Sequence, residues 1–228
     1  MIQYERRVLV ACEYSGTVRD AFSRRGWDAW SCDLLPTESI LTKEEDKHFQ
    51  CDVFIPVQRI KWDLLIAFPP CTYLCNSGVS WLHKYTQRWI KMYEASDFFE
   101  RLLNSDIQNI CIENPIQHKY ATRLIKKPYT QIIQPYMFGH MESKATCLWL
   151  KNLPLLVETN NVKALMQKLP DNKRQRLHYL APSPDRAKIR SKTYTGIADA
   201  MADQWTEYFK AIETTQQINN HLFNNFKN

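Results

Sequence analysis

A cysteine, a glutamate and an asparagine carry the chemistry most readily read from this chain. Cys71 follows directly on Pro69-Pro70, and Glu113-Asn114 is followed by Pro115. Each group sits just past a short apolar run, Leu64-Leu65-Ile66-Ala67 in one case and Ile110-Cys111-Ile112 in the other. Uninterrupted apolar runs read as buried parallel strands, and proline cannot continue them. Open α/β sheets bind ligands at the carboxyl ends of their strands. A thiol held there on a rigid Pro-Pro turn reads as a nucleophile, and a carboxyl at a nearby strand end as its acid partner. The plainer readings are a small buried cysteine and a structural ion pair for Glu113. Cys71-x-x-x-Cys75 with His83 hints at a metal, but no second Cys/His pair lies at ligand spacing, so no metal is expected.

The elements that must position these groups follow in order. Residues 7–12 (RVLVAC) predict a first strand. A loop, Glu13-Tyr14-Ser15-Gly16, leads into a helix from Thr17 to about Arg25, closed by Gly26. A second strand ends at Asp33. This order is the nucleotide-binding half of a Rossmann-like sheet, in which the acid can bind ribose hydroxyls. An ordinary βαβ unit is the alternative. Residues 37–50 predict a loop or short helix, and Cys51-Asp52-Val53 ends a short segment with an acid at its tip. Apolar spacing from Ser80 to Leu103 predicts one or two amphipathic helices, with the aromatic residues of 81–99 mostly in the core. Ile132-Ile133 and Thr146–Leu150 predict a late antiparallel pair around Gly139. Residues 151–185 show little regular pattern. The basic run Arg186, Lys188, Arg190, Lys192 follows. Thr195-Gly196 opens a last helix, and the Asn-rich end from Ile218 predicts a frayed tail. The fold class is α/β: Rossmann-like, mostly parallel, with a late antiparallel hairpin.

The chain has 228 residues, enough for one α/β domain, and 44% are hydrophobic. No apolar run approaches the roughly 18 residues of a membrane span, and the N-terminus is too short and mixed for a signal peptide. No membrane partner and a cytoplasmic location are therefore expected. Seven cysteines, four of them (Cys12, Cys32, Cys51, Cys111) in or beside apolar runs, predict reduced thiols buried singly and no disulfide framework. The formal charge of +6 is compatible with a polyanionic partner.

Taken together, these pieces resemble the DNA cytosine-5 methyltransferases, and more closely short phage-type proteins described as cytosine methyltransferases. Tyr14-Ser15-Gly16 is similar to the family's cofactor loop. Pro69-Pro70-Cys71 resembles its Pro-Cys motif, and Glu113-Asn114 its Glu-Asn-Val motif with Pro115 in place of valine. Tyr194-Thr195-Gly196-Ile197-Ala198 resembles its closing motif, without the asparagine. The resemblance implies a fold of the S-adenosylmethionine-dependent methyltransferase type. It implies S-adenosylmethionine as cofactor, with Asp33 at the ribose, Asp52 at the adenine amino group, and Leu34, Val53 and Pro69 completing the pocket. It implies DNA, double- or single-stranded, as partner, and a host-cell cytoplasm if the protein is phage-encoded. It divides the single domain into a catalytic core (1–150), a short recognition-like region (151–193), a closing helix (194–215) and a tail (216–228). Glycine is missing after Gly16, where Thr17 stands. Of the family's Gln-x-Arg-x-Arg motif, Lys144 keeps one positive charge, and Thr146 replaces an arginine that helps hold the flipped cytosine.

The chemistry so implied is methyl transfer to carbon 5 of cytosine. Cys71 would add at carbon 6, Glu113 would neutralise ring nitrogen 3, and Asn114 would fix the Cys71 loop. At an ordinary pKa near 8.5 only ~3% of a thiol is ionised at pH 7, so the site must favour thiolate. Lys144, Thr146, Arg186, Lys188, Arg190 and Lys192 are the expected substrate contacts. Two alternatives stay open: cytosine modification on a free nucleotide or RNA, motivated by the short recognition region, and a non-catalytic cofactor- or DNA-binding regulator, motivated by the altered Arg motif.

Overall fold

A computed structural model describes residues 5–39 and 47–225, with side chains to 218. Its centre is a seven-stranded sheet. Five strands are β1 (Arg7–Ala11), β2 (Asp28–Asp33), β3 (His48–Gln50), β4 (Leu64–Ala67) and β5 (Asn109–Pro115); β6 (Gln131–Ile133) and β7 (Thr146–Lys151) follow. The spatial order is β3-β2-β1-β4-β5-β7-β6. The first five run parallel, and β7 lies antiparallel between β5 and β6. This is the expected Rossmann-like methyltransferase fold.

The apolar runs form strands because both faces of the sheet are covered. Val8 and Val10 enter one core cluster and Leu9 and Ala11 the other, the period-2 alternation of a strand buried on both sides. Helices α1 (Thr17–Ser23) and α8 (Thr195–Asn225) cover the first face; α2 (Phe54–Arg59), α3 (Gln87–Leu103) and α4 (Lys119–Leu124) lie toward the second. Three short helices, α5 (Lys163–Met166), α6 (Asp171–Arg174) and α7 (Arg186–Ser191), punctuate the stretch before α8. On α8 the buried residues Ile197, Met201, Trp205 and Phe209 recur every four positions, so one stripe faces the sheet. Truncating the fully buried Trp205 to alanine would cost about 3–5 kcal/mol. The indole of Trp27 donates to Thr206 Oγ1 at 2.8 Å, and Arg25 pairs with Asp199 and Asp203, fastening α1 to α8.

Four expectations change. The last helix continues to Asn225 instead of fraying from 216; residues 226–228 lie outside the described residues, as do 40–46 of the expected 37–50 loop. β5 runs on through Glu113, Asn114 and Pro115, because β7 pairs with it as far as Pro115↔Thr146. Proline is tolerated there at the strand's last residue. The aromatic residues of 81–99 divide: Phe99 is buried, whereas Trp81, Tyr85 and Tyr93 are exposed. Apolar spacing identifies a helical face but not whether anything covers it. Two cysteines of the strand-like group, Cys12 and Cys51, are only partly buried, though all seven are free thiols. Among the described residues no helix is long and apolar enough to cross a membrane.

Candidate active site

The carboxyl ends of β1, β2 and β3 build one half of the site. At Gly16 the chain turns with φ 71°, and a Cβ would lie 2.6 Å from both the Arg19 guanidinium and the Ser39 Cβ, so the loop requires glycine. Glu13 is buried, and its carboxylate accepts hydrogen bonds from the amides of Val18 (2.7 Å) and Arg19 (3.2 Å) at the start of α1. Burial pushes its pKa up to about 7, against the pull of those two amides. Tyr14 is buried and Ser15 Oγ reaches Thr17. Arg19, fully buried, binds Asp20 and Ser31, and Asp20 accepts from the Ser39 hydroxyl at 2.6 Å. This network fixes the glycine loop against the segment after β2.

Asp33 ends β2 and accepts the Leu35 amide at 2.9 Å; beside it Leu34 is 75% exposed. Asp52 accepts the Phe54 amide at 2.9 Å at the head of α2, where Val53 is buried. Cys12, at the tip of β1, holds a left-handed φ of 57°. Its thiol is kept protonated by burial and by the nearby charges of Asp33, Cys32 and Asp52. Both acids thus act on the Cys12 thiol at the tip of β1. Carboxylates in such a place could accept from hydroxyl and amino groups, and Leu34 beside Asp33 offers an uncovered apolar surface.

β4 and β5 build the other half. They are paired up to Ala67↔Ile112; beyond that point the chain after β4 leaves the sheet toward Cys71, while β5 carries Glu113 on along β7. Asn114 Nδ2 donates to the Pro69 carbonyl at 2.9 Å and ties the two together. Asn114 is buried, and its Oδ1 has no partner among the described residues. Cys71 is partly exposed. Its hydrogen bond to Cys75 keeps the Cys71 thiol protonated, reinforced by burial and the charges of Cys75 and Glu113; Lys144 pulls the other way. Cys75, taking that hydrogen bond and one from Ser77, is pulled down to about 5. Burial raises the Glu113 carboxyl, against the charge of Lys144 and the Thr146 hydroxyl. Glu113, Lys144 and Thr146 line a small cavity with Phe68, Tyr194 and Met201.

The closing segment packs over both halves. The Gly196 amide donates to His140 Nε2 at 3.0 Å, and a Cβ at Gly196 would strike the Phe138 carbonyl. Tyr194 donates to Glu142 at 2.8 Å. The basic run is held internally. Glu38 pairs with Lys188 and Lys192, and Arg190 donates to the Leu177 carbonyl at 3.0 Å. Tyr14 donates its hydroxyl to the Lys188 carbonyl at 2.6 Å, and Lys144 donates to the Arg190 carbonyl at 3.2 Å. Arg186 Nε is buried without a partner among the described residues.

Sequence reasoning brings Tyr14, Ser15, Gly16, Asp33, Leu34, Asp52 and Val53 to one half, and Pro69, Cys71, Glu113, Asn114, Lys144 and Thr146 to the other. It missed Glu13, although an acid directly before the loop and α1 was a readable signal. Glu38 had no local signal, because its partners lie 150 residues on. Among the described residues no group of three or more His, Cys, Asp or Glu could hold a metal ion.

No protein-family model and no curated relative matches the sequence. Solved structures with a similar chain path include a prophage-encoded E. coli protein described as a DNA modification methyltransferase: 18% identity, 73% of this chain, 56% of that one, TM-score 0.44. The Entamoeba histolytica methyltransferase EhMeth matches at 18% identity, over 70% of this chain and 58% of its own, with a TM-score of 0.42. The S. pombe Dnmt2 methyltransferase matches at 16% identity, over 80% and 61%, with a TM-score of 0.40. The chain thus spans less than two thirds of the length of each of these three proteins.

Proposed function

We propose that this protein methylates carbon 5 of cytosine in DNA, with S-adenosylmethionine as donor and Cys71 as nucleophile. The observation that carries the reading is the Asn114–Pro69 hydrogen bond, which ties the loop of Cys71 after β4 to the adjacent strand β5 that carries Glu113. Asp33, Asp52 and Leu34 would hold the adenosine of the cofactor, which supplies an electrophilic methyl group.

Cys71 first gives up its proton to solvent, and its sulfur adds to carbon 6 of the ring. Glu113, whose carboxyl burial raises against the charge of Lys144 and the Thr146 hydroxyl, donates to ring nitrogen 3 as charge develops there. Its protonation also removes a negative charge that opposes ionisation of Cys71. Carbon 5 is thereby made nucleophilic and takes the methyl. A water molecule then takes the carbon-5 proton, Cys71 leaves carbon 6 as a thiolate, and nitrogen 3 returns its proton to Glu113. Lys144 supports the thiolate, and its charge lies beside Glu113. The base must leave the stack for its ring to meet both Cys71 and Glu113.

The test is a covalent trap. Cytosine with fluorine at carbon 5 cannot lose that substituent as a proton, so an oligonucleotide carrying it should remain bound to the protein on a denaturing gel, in the presence of cofactor only. Cys71→Ser should abolish the adduct, since a hydroxyl is far less ionised than a thiol. Cys75→Ser should still form it. An adduct formed by the Cys71→Ser protein at the parent rate would refute the assignment. Binding of cofactor with no adduct on any DNA would favour a non-catalytic module.

A further inference from the structure

Two stretches of the chain lack acids altogether. Residues 64–93 contain three lysines and arginines and no Asp or Glu; residues 114–141 contain four and none. The fold brings them together. Cys75 bridges Gln117, the His118 amide donates to the Leu74 carbonyl at 2.9 Å, and Tyr120 packs edge-on against Trp89 with ring centres 5.0 Å apart. They follow the strands that carry Cys71 and Glu113, so their joint surface begins at the reacting residues.

That surface exposes aromatic rings as well as charge. Trp81 is 45% and Tyr85 55% exposed, and their rings stack at 5.9 Å with an interplanar angle of 17°. The Lys84 ammonium lies 4.9 Å from the Trp81 ring centre. Arg88 lies over Tyr73 and reaches the carbonyl of Thr72, the residue after Cys71. Among the described residues, Lys84, Arg88, Lys119 and Arg123 pair with no carboxylate. A purely solvated helix face would not expose two large parallel rings, and a protein-binding apolar patch would not be ringed by cations of one sign.

We infer that this face is a platform for the unpaired strand next to the target cytosine: bases stack on Trp81 and Tyr85 while Lys84, Arg88, Lys119 and Arg123 take phosphates. Aromatic rings bind any base through its π-face, and a single-sign cationic surface tracks the backbone. Duplex DNA offers its phosphates but hides its base faces, so the rings are useful only where bases are unstacked. The inference rests on the proposed DNA cytosine reading and adds its substrate class, a single-stranded or locally opened strand.

Fluorescence anisotropy with a labelled single-stranded oligonucleotide, a duplex of the same sequence and the matching RNA tests it on the full chain, with calorimetric cofactor binding as a control for folding. The single strand should bind more tightly than the duplex and quench tryptophan fluorescence. Trp81→Ala should weaken single-strand binding about 5- to 150-fold and leave duplex binding nearly unchanged. Removing Lys84 and Arg88 together should lower the slope of log affinity against log salt by roughly 1.4, at about 0.7 per single-strand phosphate. Single-strand binding unchanged in Trp81→Ala and Tyr85→Ala, with cofactor binding intact, overturns the platform while leaving the methylation reading standing. Tighter RNA binding that still depends on Trp81 keeps the platform and overturns the choice of DNA. Failure to bind any nucleic acid overturns both.

Discussion

The two halves of the carboxyl edge are finished to different degrees. On the β1–β3 side the acids are already occupied by backbone: Glu13 by the amides of α1, Asp33 by Leu35 and Asp52 by Phe54. On the β4–β5 side groups are left waiting. Asn114 Oδ1 and Arg88 Nε have no partner among the described residues, Glu113 is raised by burial, and Lys84 rests on an aromatic ring. A buried polar group without a partner costs about 1–3 kcal/mol. The difference teaches where ligand should change the protein. The first half is preorganised by its own backbone, whereas the second is completed only by what binds there.

The largest effect that would sharpen this contrast is at Glu113. Glu113→Gln should slow adduct formation on the order of 10²-fold, because it removes the acid at ring nitrogen 3. It should also alter the pH profile. Burial raises the carboxyl, so the protonated form persists above the ordinary range and is lost as pH rises through the raised pKa. Turnover in the parent should therefore fall on that alkaline side, and the Gln variant should lack that limb. Stopped-flow trapping across pH is the measurement. An unchanged profile would mean that Glu113 is a passive neighbour of Lys144.

Much of this division was legible beforehand. The apolar runs before Pro69-Pro70 and Pro115 located both strands, since proline's missing donor keeps it out of a strand's interior, although β5 extends as far as Pro115 itself. Asp33 and Asp52 were found because each stands at the tip of a strand-like segment. What could not be read depended on contacts far apart in sequence. The basic run 186–192 has the spacing of a phosphate-binding strip, yet Glu38 holds Lys188 and Lys192. The aromatic residues Trp81 and Tyr85 have core-like spacing, yet both stay about half exposed. Local pattern reports which residues share a face; tertiary packing decides whether that face is covered.

An intermediate effect is expected on the preorganised side. If Asp33 binds a ribose hydroxyl in addition to the Leu35 amide, Asp33→Ala should weaken S-adenosylmethionine binding about 5- to 150-fold. Calorimetry reads this directly, and its demethylated product should lose affinity equally, since the contact lies away from the methyl group. Because the loop itself is fixed by Glu13 and Arg19, the variant should keep the parent's thermal midpoint within a few degrees. Unchanged affinity would move the ribose elsewhere and break the comparison on its better-ordered side.

The smallest effect concerns the one carboxylate that reaches across from the segment after β2 to the basic run. Glu38 holds Lys188 and Lys192, and its amide donates to the Tyr14 carbonyl at 2.9 Å. These lysines are exposed, so the pairs are screened and worth little in stability. Their consequence is occupancy: while Glu38 holds both ammonium groups, a DNA phosphate must compete for them. Glu38→Gln keeps the backbone contact to Tyr14 and removes only the charge. DNA affinity at low salt should then rise about two- to fivefold. The salt slope for duplex should steepen by about 0.9 for each lysine that gains a phosphate. The gain should vanish in a Glu38→Gln protein that also carries Lys188→Ala and Lys192→Ala. An unchanged slope would place α7 outside the nucleic-acid path and leave the acid-free face around Trp81 as the stronger candidate for the strand's route.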